Sequence, residues 1–309
     1  VEIVERNVAD IAADHHSGAA EITAQANETL RILMREADVA SVQAFQAQIQ
    51  EVARNLVAAQ PSMAPLVNLT NDLLHEIDGC SNVEKIREMG LDFLEGQAQA
   101  SSRSQAELVA AGIGLIESGF HILTHSRSST VLALFRQAHA AGIPFVVTCT
   151  ESRPLYEGRD LARSLTQVGI KVELVVDAGA FELLDDLDLI LIGADSVSAE
   201  GVVNKIGSRG LAWAAKAEHV PFQVVCTTFK FLPEGYKQGV TIEAQDPDEV
   251  WKEVPTGVDI VNRYFDLTPL ETVTGIVTER GRLSRQEVKR QIRSAKVHPA
   301  LQEIGKEAT

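Results

Sequence analysis

Apolar residues recur at helical spacing through the first third of the chain. Ala19, Ile22, Ala26, Leu30 and Leu33 lie three or four positions apart, which predicts a helix over Ala19–Met34. Phe45, Ile49, Val52 and Leu56 form a second stripe. Pro61 and Pro65 break it, because proline removes a backbone donor and crowds the preceding turn. Leu66–Ile77 resumes the helical period, and Glu84–Leu94 and Gln105–Ile116 continue it. No strand-like alternation of useful length interrupts this stretch.

At Gly119 the pattern changes. Short runs rich in β-branched and aliphatic residues follow at His121–Thr124, Phe145–Thr148, Val172–Val176, Leu189–Ile192 and Phe222–Cys226, and Gly275–Thr278 predicts a sixth strand. Helix-period segments separate most of them, at Val131–Ala140, Leu155–Val168 and Leu211–Glu218. Nearly continuous apolar strands belong in a sheet covered on both faces. Strand–helix alternation implies parallel pairing through right-handed crossovers. The fold class is therefore α/β: an N-terminal helical domain over residues 1–118, then a Rossmann-like parallel-sheet domain over residues 119–309. Gln238–Asn262, rich in acids, Gly and Pro, reads as a surface excursion.

Charge narrows the partners. Asp and Glu total 43 against 28 Lys and Arg, a formal net charge of −15 over 309 residues. Affinity for nucleic acid comes largely from basic groups facing phosphates, so a general DNA or RNA binder is excluded, while a small basic pocket is not. The hydrophobic fraction of 45% is enough for a large core. No apolar run is long enough for a membrane span, and the first residues lack the basic and apolar regions of a signal peptide. Three cysteines, Cys80, Cys149 and Cys226, suit a reducing compartment, and a cytoplasmic location is expected. The histidines lack metal-ligand spacing, and no Walker loop, nucleophile elbow or CxxC is present. Gly112-Ile113-Gly114 precedes a strand instead of following one, so it is no dinucleotide fingerprint. Neither a metal nor a cofactor is called for.

Open parallel sheets bind ligands beyond the carboxyl ends of their strands. After the first strand comes Thr124-His125-Ser126-Arg127-Ser128-Ser129-Thr130. Hydroxyls, an Arg and a helix N-terminus are anion chemistry, and equally Ser128 or Ser129 can be a plain N-cap. Arg153, after the second strand, offers either a bidentate phosphate clamp or a surface ion pair. Asp195, at the end of the fourth strand, is a candidate general base, or else the anchor of an Asx-turn. Asn204, Lys205 and the amides of the following Gly-punctuated loop can hold phosphate or hydroxyls. Lys230, after the fifth strand, is an anion contact or a snorkelling surface residue.

Taken together, Ile122-Leu123-Thr124-His125, Thr150-Glu151-Ser152-Arg153-Pro154, Gly193-Ala194-Asp195-Ser196, Asn204-Lys205-Ile206-Gly207, Phe229-Lys230-Phe231 and Phe265-Asp266-Leu267-Thr268-Pro269 carry a resemblance. The chain resembles the alpha/beta/delta subunits of translation initiation factor two B and their relatives, ribose-1,5-bisphosphate isomerase and 5-methylthioribose-1-phosphate isomerase. Weaker N-terminal matches are Ser17-Gly18-Ala19 and Pro65-Leu66-Val67-Asn68. The resemblance implies a homodimer or higher homo-oligomer and a pocket for a sugar phosphate or nucleotide monophosphate. It implies binding roles for Ser17, Gly18, Asn68, His125, Arg127, Ser128, Arg153, Asn204, Lys205 and Lys230. The isomerases use an Asp, here Asp195, and a Cys whose position is Ser126. They also carry an Arg-Gly pair where this chain has Ser17-Gly18. A hydroxyl titrates far above a thiol, so these departures place a binding, regulatory protein ahead of the alternative, an aldose–ketose isomerase of a phosphorylated pentose such as ribose 1,5-bisphosphate. A subunit serving mainly in assembly is a third expectation. Cys149 follows the neighbouring strand, where a relocated thiol would serve if it reached the pocket.

Overall fold

The computed structural model describes residues 2–236 and 241–302. Five helices come first: α1 Glu2–Ala13, α2 Ala19–Glu36, α3 Val42–Ala59, α4 Ala64–Glu76 and α5 Val83–Gly112. Local chemistry sets their starts. Ser41 Oγ accepts from Ala44 N at 3.1 Å, and Asn82 Oδ1 accepts from Lys85 N at 2.7 Å. Pro65 occupies the first turn of α4, where a missing N–H costs nothing. The predicted helices Glu84–Leu94 and Gln105–Ile116 are parts of one rod, α5 plus a tight turn at Ile113–Leu115. The stretch between them lacks an apolar stripe but also lacks proline, so the backbone ladder runs through.

Ile22, Leu30, Phe45, Ile49, Leu56 and Leu73 fill the helical core. Burying each such side chain contributes about 1.5–3 kcal/mol. Leu232, Tyr236, Val297 and Leu301, from late in the chain, complete the same core. Leu108, near the end of α5, joins the core of the sheet instead.

The remaining elements are β1 His121–Thr124, α6 Ser129–Ala140, β2 Val146–Thr150, α7 Glu157–Thr166, β3 Lys171–Val175, β4 Leu189–Ile192, β5 Ser196–Val197, β6 Gly201–Lys205, α8 Ser208–Ala217, β7 Phe222–Val225, β8 Phe265–Pro269, β9 Gly275–Thr278, β10 Gly281–Leu283, α9 Arg285–Ser294 and α10 Pro299–Gln302. Seven strands form one sheet in the order β10-β9-β7-β4-β1-β2-β3. All its pairings are parallel except β10 with β9. Every residue of β4 is buried. Leu189 and Leu191 face one core and Ile190 and Ile192 the other, as a strand period of two demands. Phe222→Ala in β7, fully buried, would cost ~3–5 kcal/mol.

Two features bear on function. From β1 the chain builds outward through β2 and β3, then returns to β4 and builds the other way through β7 and β9. The crevice between the ends of β1 and β4 is thus a topological switch point. The second is a small antiparallel sheet, β5-β6-β8, which periodicity did not predict. Asn204 and Lys205, expected on a loop, end strand β6 and pair with Asp266 and Phe265. Of the predicted surface excursion, residues 238–240 lie outside the described residues, and 241–262 contain a short 3-10 helical turn at Pro247–Glu249 and a turn at Thr256-Gly257, but no strand or α-helix. Among the described residues no helix is long and apolar enough to cross a membrane.

Candidate functional site

The switch point opens into a cavity roofed by the helical layer. Its floor holds Ser126, Arg127 and Ser128 after β1 and Asp195 after β4, and Ser17 and Gly18 at the start of α2 come down from above. Ser126 sits in the left-handed region with φ 67°, and its N–H donates to Ser152 Oγ at 2.8 Å. That turn presents the N-terminus of α6 to the cavity, with Ser128 Oγ accepting from Val131 N at 3.3 Å. Gly193 is required here, since a Cβ would lie 2.5 Å from Ser128 Oγ. Arg127 faces Glu21 across 3.9 Å, and both are substantially exposed. The α2 and α6 N-termini therefore converge on one place, with a loosely held guanidinium beside it. This is the arrangement that backbone amides and helix dipoles make attractive to an anion.

Deeper in the cavity stand Asp195, Lys230, Lys205, Asn204 and Glu157. Asp195 N donates to Val203 O at 2.9 Å, tying the carboxylate to the small sheet. Burial holds the Asp195 carboxyl above the usual carboxylate range, although Lys230 and Lys205 pull it down. Burial likewise lowers Lys230, against the field of Asp195. Lys230 ends a tight turn at Thr228–Lys230, and Asn68 grips that turn by donating to Phe229 O at 2.7 Å and Phe231 O at 3.0 Å. Lys205 is 3% exposed, forms a close ion pair with Glu157 Oε1, and lies 5.0 Å from the centre of the Tyr264 ring. The other oxygen, Glu157 Oε2, is buried without a partner. Gly158 lets α7 come this close, because a Cβ there would overlap Thr150 O at 1.7 Å. No cluster of potential metal ligands exists among the described residues.

Nine of the twelve residues expected at the site line this cavity: Ser17, Gly18, Ser126, Arg127, Ser128, Asp195, Asn204, Lys205 and Lys230. Asn68 does not; it holds the Lys230 turn from behind. His125 is buried beneath the floor, with Nδ1 2.6 Å from Thr150 Oγ1 and Nε2 2.8 Å from Ile206 O. A carbonyl only accepts, so Nε2 carries the proton and Nδ1 accepts from Thr150. Burial pushes its pKa down, consistent with a neutral ring. Arg153 points outward, donating to Tyr156 Oη at 2.8 Å and Val250 O at 3.2 Å, so it tethers the segment around Val250 instead of facing the cavity. The amides after Asn204-Lys205 are occupied as well. Gly207 N and Arg209 N donate to Asp266 at 2.8 Å and 3.1 Å, closing the α8 N-terminus to a ligand. Burial pushes the Asp266 carboxyl up to about 6 against those two N–H groups. Cys149 is buried in the sheet core and outside the cavity, its thiol pushed up to about 12.

The model of the Initiation factor 2 subunit family matches residues 15–285. The chain belongs to this family. It is similar to a ribose 1,5-bisphosphate isomerase from Haloferax volcanii, 34% identical over 92% of this chain and 90% of that one. The crystal structure of translation initiation factor eIF-2B from Pyrococcus horikoshii superposes with a TM-score of 0.79 at 32% identity, covering 92% of this chain and 97% of that one. A 5-methylthioribose 1-phosphate isomerase from the same organism superposes at 0.73 with 25% identity, covering 94% and 86%.

In this family member the cavity also uses residues that sequence reasoning passed over. Glu157, Cys226, Glu243, Gln245 and Tyr264 line it. Tyr264 Oη donates to Glu249, and burial, aided by that hydrogen bond and the carboxylate's charge, raises the phenol. Cys226 immediately follows β7, and burial pushes its thiol up to about 12, so it is protonated at neutral pH. A strand-end rule finds Cys226. It misses Glu157, Glu243 and Gln245, which have no local signature and arrive through tertiary packing.

Proposed function

We propose that the cavity is the active site of an aldose–ketose isomerase acting on a phosphorylated pentose. The observation that carries this reading is the pair Asp195–Lys230: a carboxylate held by burial above its usual range beside a lysine held below its own, next to an anion-binding helix terminus. Groups pushed away from their ordinary pKa values in a cleft are the mark of acid–base chemistry. The family membership, and relatives named as isomerases of ribose 1,5-bisphosphate and 5-methylthioribose 1-phosphate, support it.

In this reading the phosphoryl group sits against the α6 and α2 N-termini with Arg127. That anchor leaves the sugar carbons over Asp195 and pays the orientation cost before reaction. Asp195, ionised, takes and returns a proton between neighbouring carbons, and Lys230 steadies the oxygen where charge develops. Ser126 contributes a hydrogen bond. Because a proton acceptor must be ionised and burial raises Asp195, kcat/KM rises with pH through a limb lying above about 4, the ordinary Asp value.

One observation favours a second reading, binding without turnover: the Ser126 hydroxyl stands where the resemblance expects a thiol. Incubation with ribose 1,5-bisphosphate, ribose 1-phosphate and ribose 5-phosphate, followed by carbon and phosphorus NMR, separates the two. New ketose signals support the isomerase, with Ser126→Cys raising the rate. Saturable binding with unchanged spectra supports the regulatory binder. Self-association as a homodimer or larger belongs to either reading and is measured by light scattering.

A further inference from the structure

Lys230 owes its place to the tight turn Thr228–Lys230, which follows β7. Two backbone hydrogen bonds close that turn, Lys230 N to Thr227 O and Phe231 N to Thr228 O, both at 3.0 Å. A single turn has no cooperative stability of its own, so its orientation depends on what binds its two ends. Asn68 of α4 takes the carbonyl end, donating to Phe229 O and Phe231 O. Glu279 takes the amide end. Its Oε2 accepts from Thr228 N at 2.9 Å, and its Oε1 accepts from Thr228 Oγ1.

The sheet brings Glu279 there. It comes directly after β9, and Val277 of β9 pairs with Val225 of β7 and accepts from Cys226 N at 3.1 Å. The Glu279 side chain is only 9% exposed. Arg280 Nε lies 3.9 Å from Oε1 on a largely exposed side chain, a weak competitor for the carboxylate. Among the described residues that line the Asp195 cavity Glu279 is absent; with Asn68 and Thr228 it lines a second cavity on the far side of the turn.

We infer that Glu279 is a positioning residue: by fixing Thr228 through two hydrogen bonds it aims Lys230 at Asp195, without touching the ligand. Its effect on rate rests on the isomerase reading above, whereas the aim of Lys230 is a property of the free protein. The Lys230 charge draws Asp195 down against burial. A turn released from Glu279 lets Lys230 drift away, so burial acts with less opposition and the Asp195 carboxyl titrates at higher pH.

Carbon-13 NMR titration of the Asp195 carboxyl in the full chain, assigned with Asp195→Asn, tests this without turnover. Glu279→Ala moves the Asp195 titration to higher pH. Glu279→Gln leaves it in place, because the amide carbonyl still accepts from Thr228 N and the amide N–H donates to Thr228 Oγ1. Thr228→Val deletes one of the two bonds with little change of shape and gives a smaller shift in the same direction. In ribose phosphate turnover Glu279→Ala lowers kcat on the order of 10²-fold, as for a group displaced by about 1 Å. KM changes less than about threefold, since Arg127 and the α6 terminus are untouched. An unmoved titration in Glu279→Ala, or in Thr228→Val where the first does not fold, overturns the inference. So does Glu279→Gln behaving like Glu279→Ala, which would make charge the cause in place of position. A shifted titration with no turnover by any form, wild type included, overturns the isomerase reading and leaves the aim of Lys230 standing.

Discussion

The N-termini of α6 and α8 look alike in sequence and end differently in the structure. Each follows a strand, each begins with a Ser within or beside its first turn, Ser129 or Ser208, and each has an Arg nearby, Arg127 or Arg209. At α6 the cap is Ser128, a neutral hydroxyl, and the terminus faces the cavity. At α8 a carboxylate from β8 fills the position an anion would take. Asp266 lies 57 residues or more from the amides it binds, so no local window contains it. Whether a helix terminus recruits a ligand or a side chain is settled by what the sheet topology brings to it.

Three substitutions sharpen or break that contrast. Arg127→Ala weakens sugar-phosphate binding about tenfold by calorimetry, the effect of one charge-assisted contact, with stability nearly unchanged because its present pairing is exposed. Asp266→Ala does the reverse: urea unfolding shows a loss of ~1 kcal/mol, typical of a lost cap, with ligand affinity little changed. A large gain in phosphate affinity in that variant would show that α8 is a latent second site. Arg153→Ala has the smallest effect, less than about threefold on affinity, since a surface tether to Val250 O is worth ~1 kcal/mol or less. A loss as large as that of Arg127→Ala would place Arg153 at the ligand after all.

The same contrast marks what was legible in the sequence. Strand runs such as Leu189–Ile192 were readable because a doubly covered strand is apolar throughout. The strand-end rule then collected Ser126, Arg127, Ser128, Asp195 and Lys230 in one cavity. It could not foresee that His125 turns under the floor to serve Thr150 and Ile206, or that Arg153 turns outward. A residue at a strand end points either way, and only its partners decide. The β5-β6-β8 sheet was hidden because β5 is only two residues long and β8, the other partner of β6, lies some sixty residues further along the chain. Glu157 was hidden because its partner Lys205 comes from that sheet.

The central claim is that Asp195 moves a proton on a bound sugar phosphate. Conversion of ribose phosphates in heavy water, read by proton NMR, tests it most directly. The account predicts ketose product with deuterium from solvent at the reacting carbon, and a drop of at least ~10²-fold in rate for Asp195→Asn with sugar-phosphate affinity retained. Undiminished conversion by Asp195→Asn would contradict it.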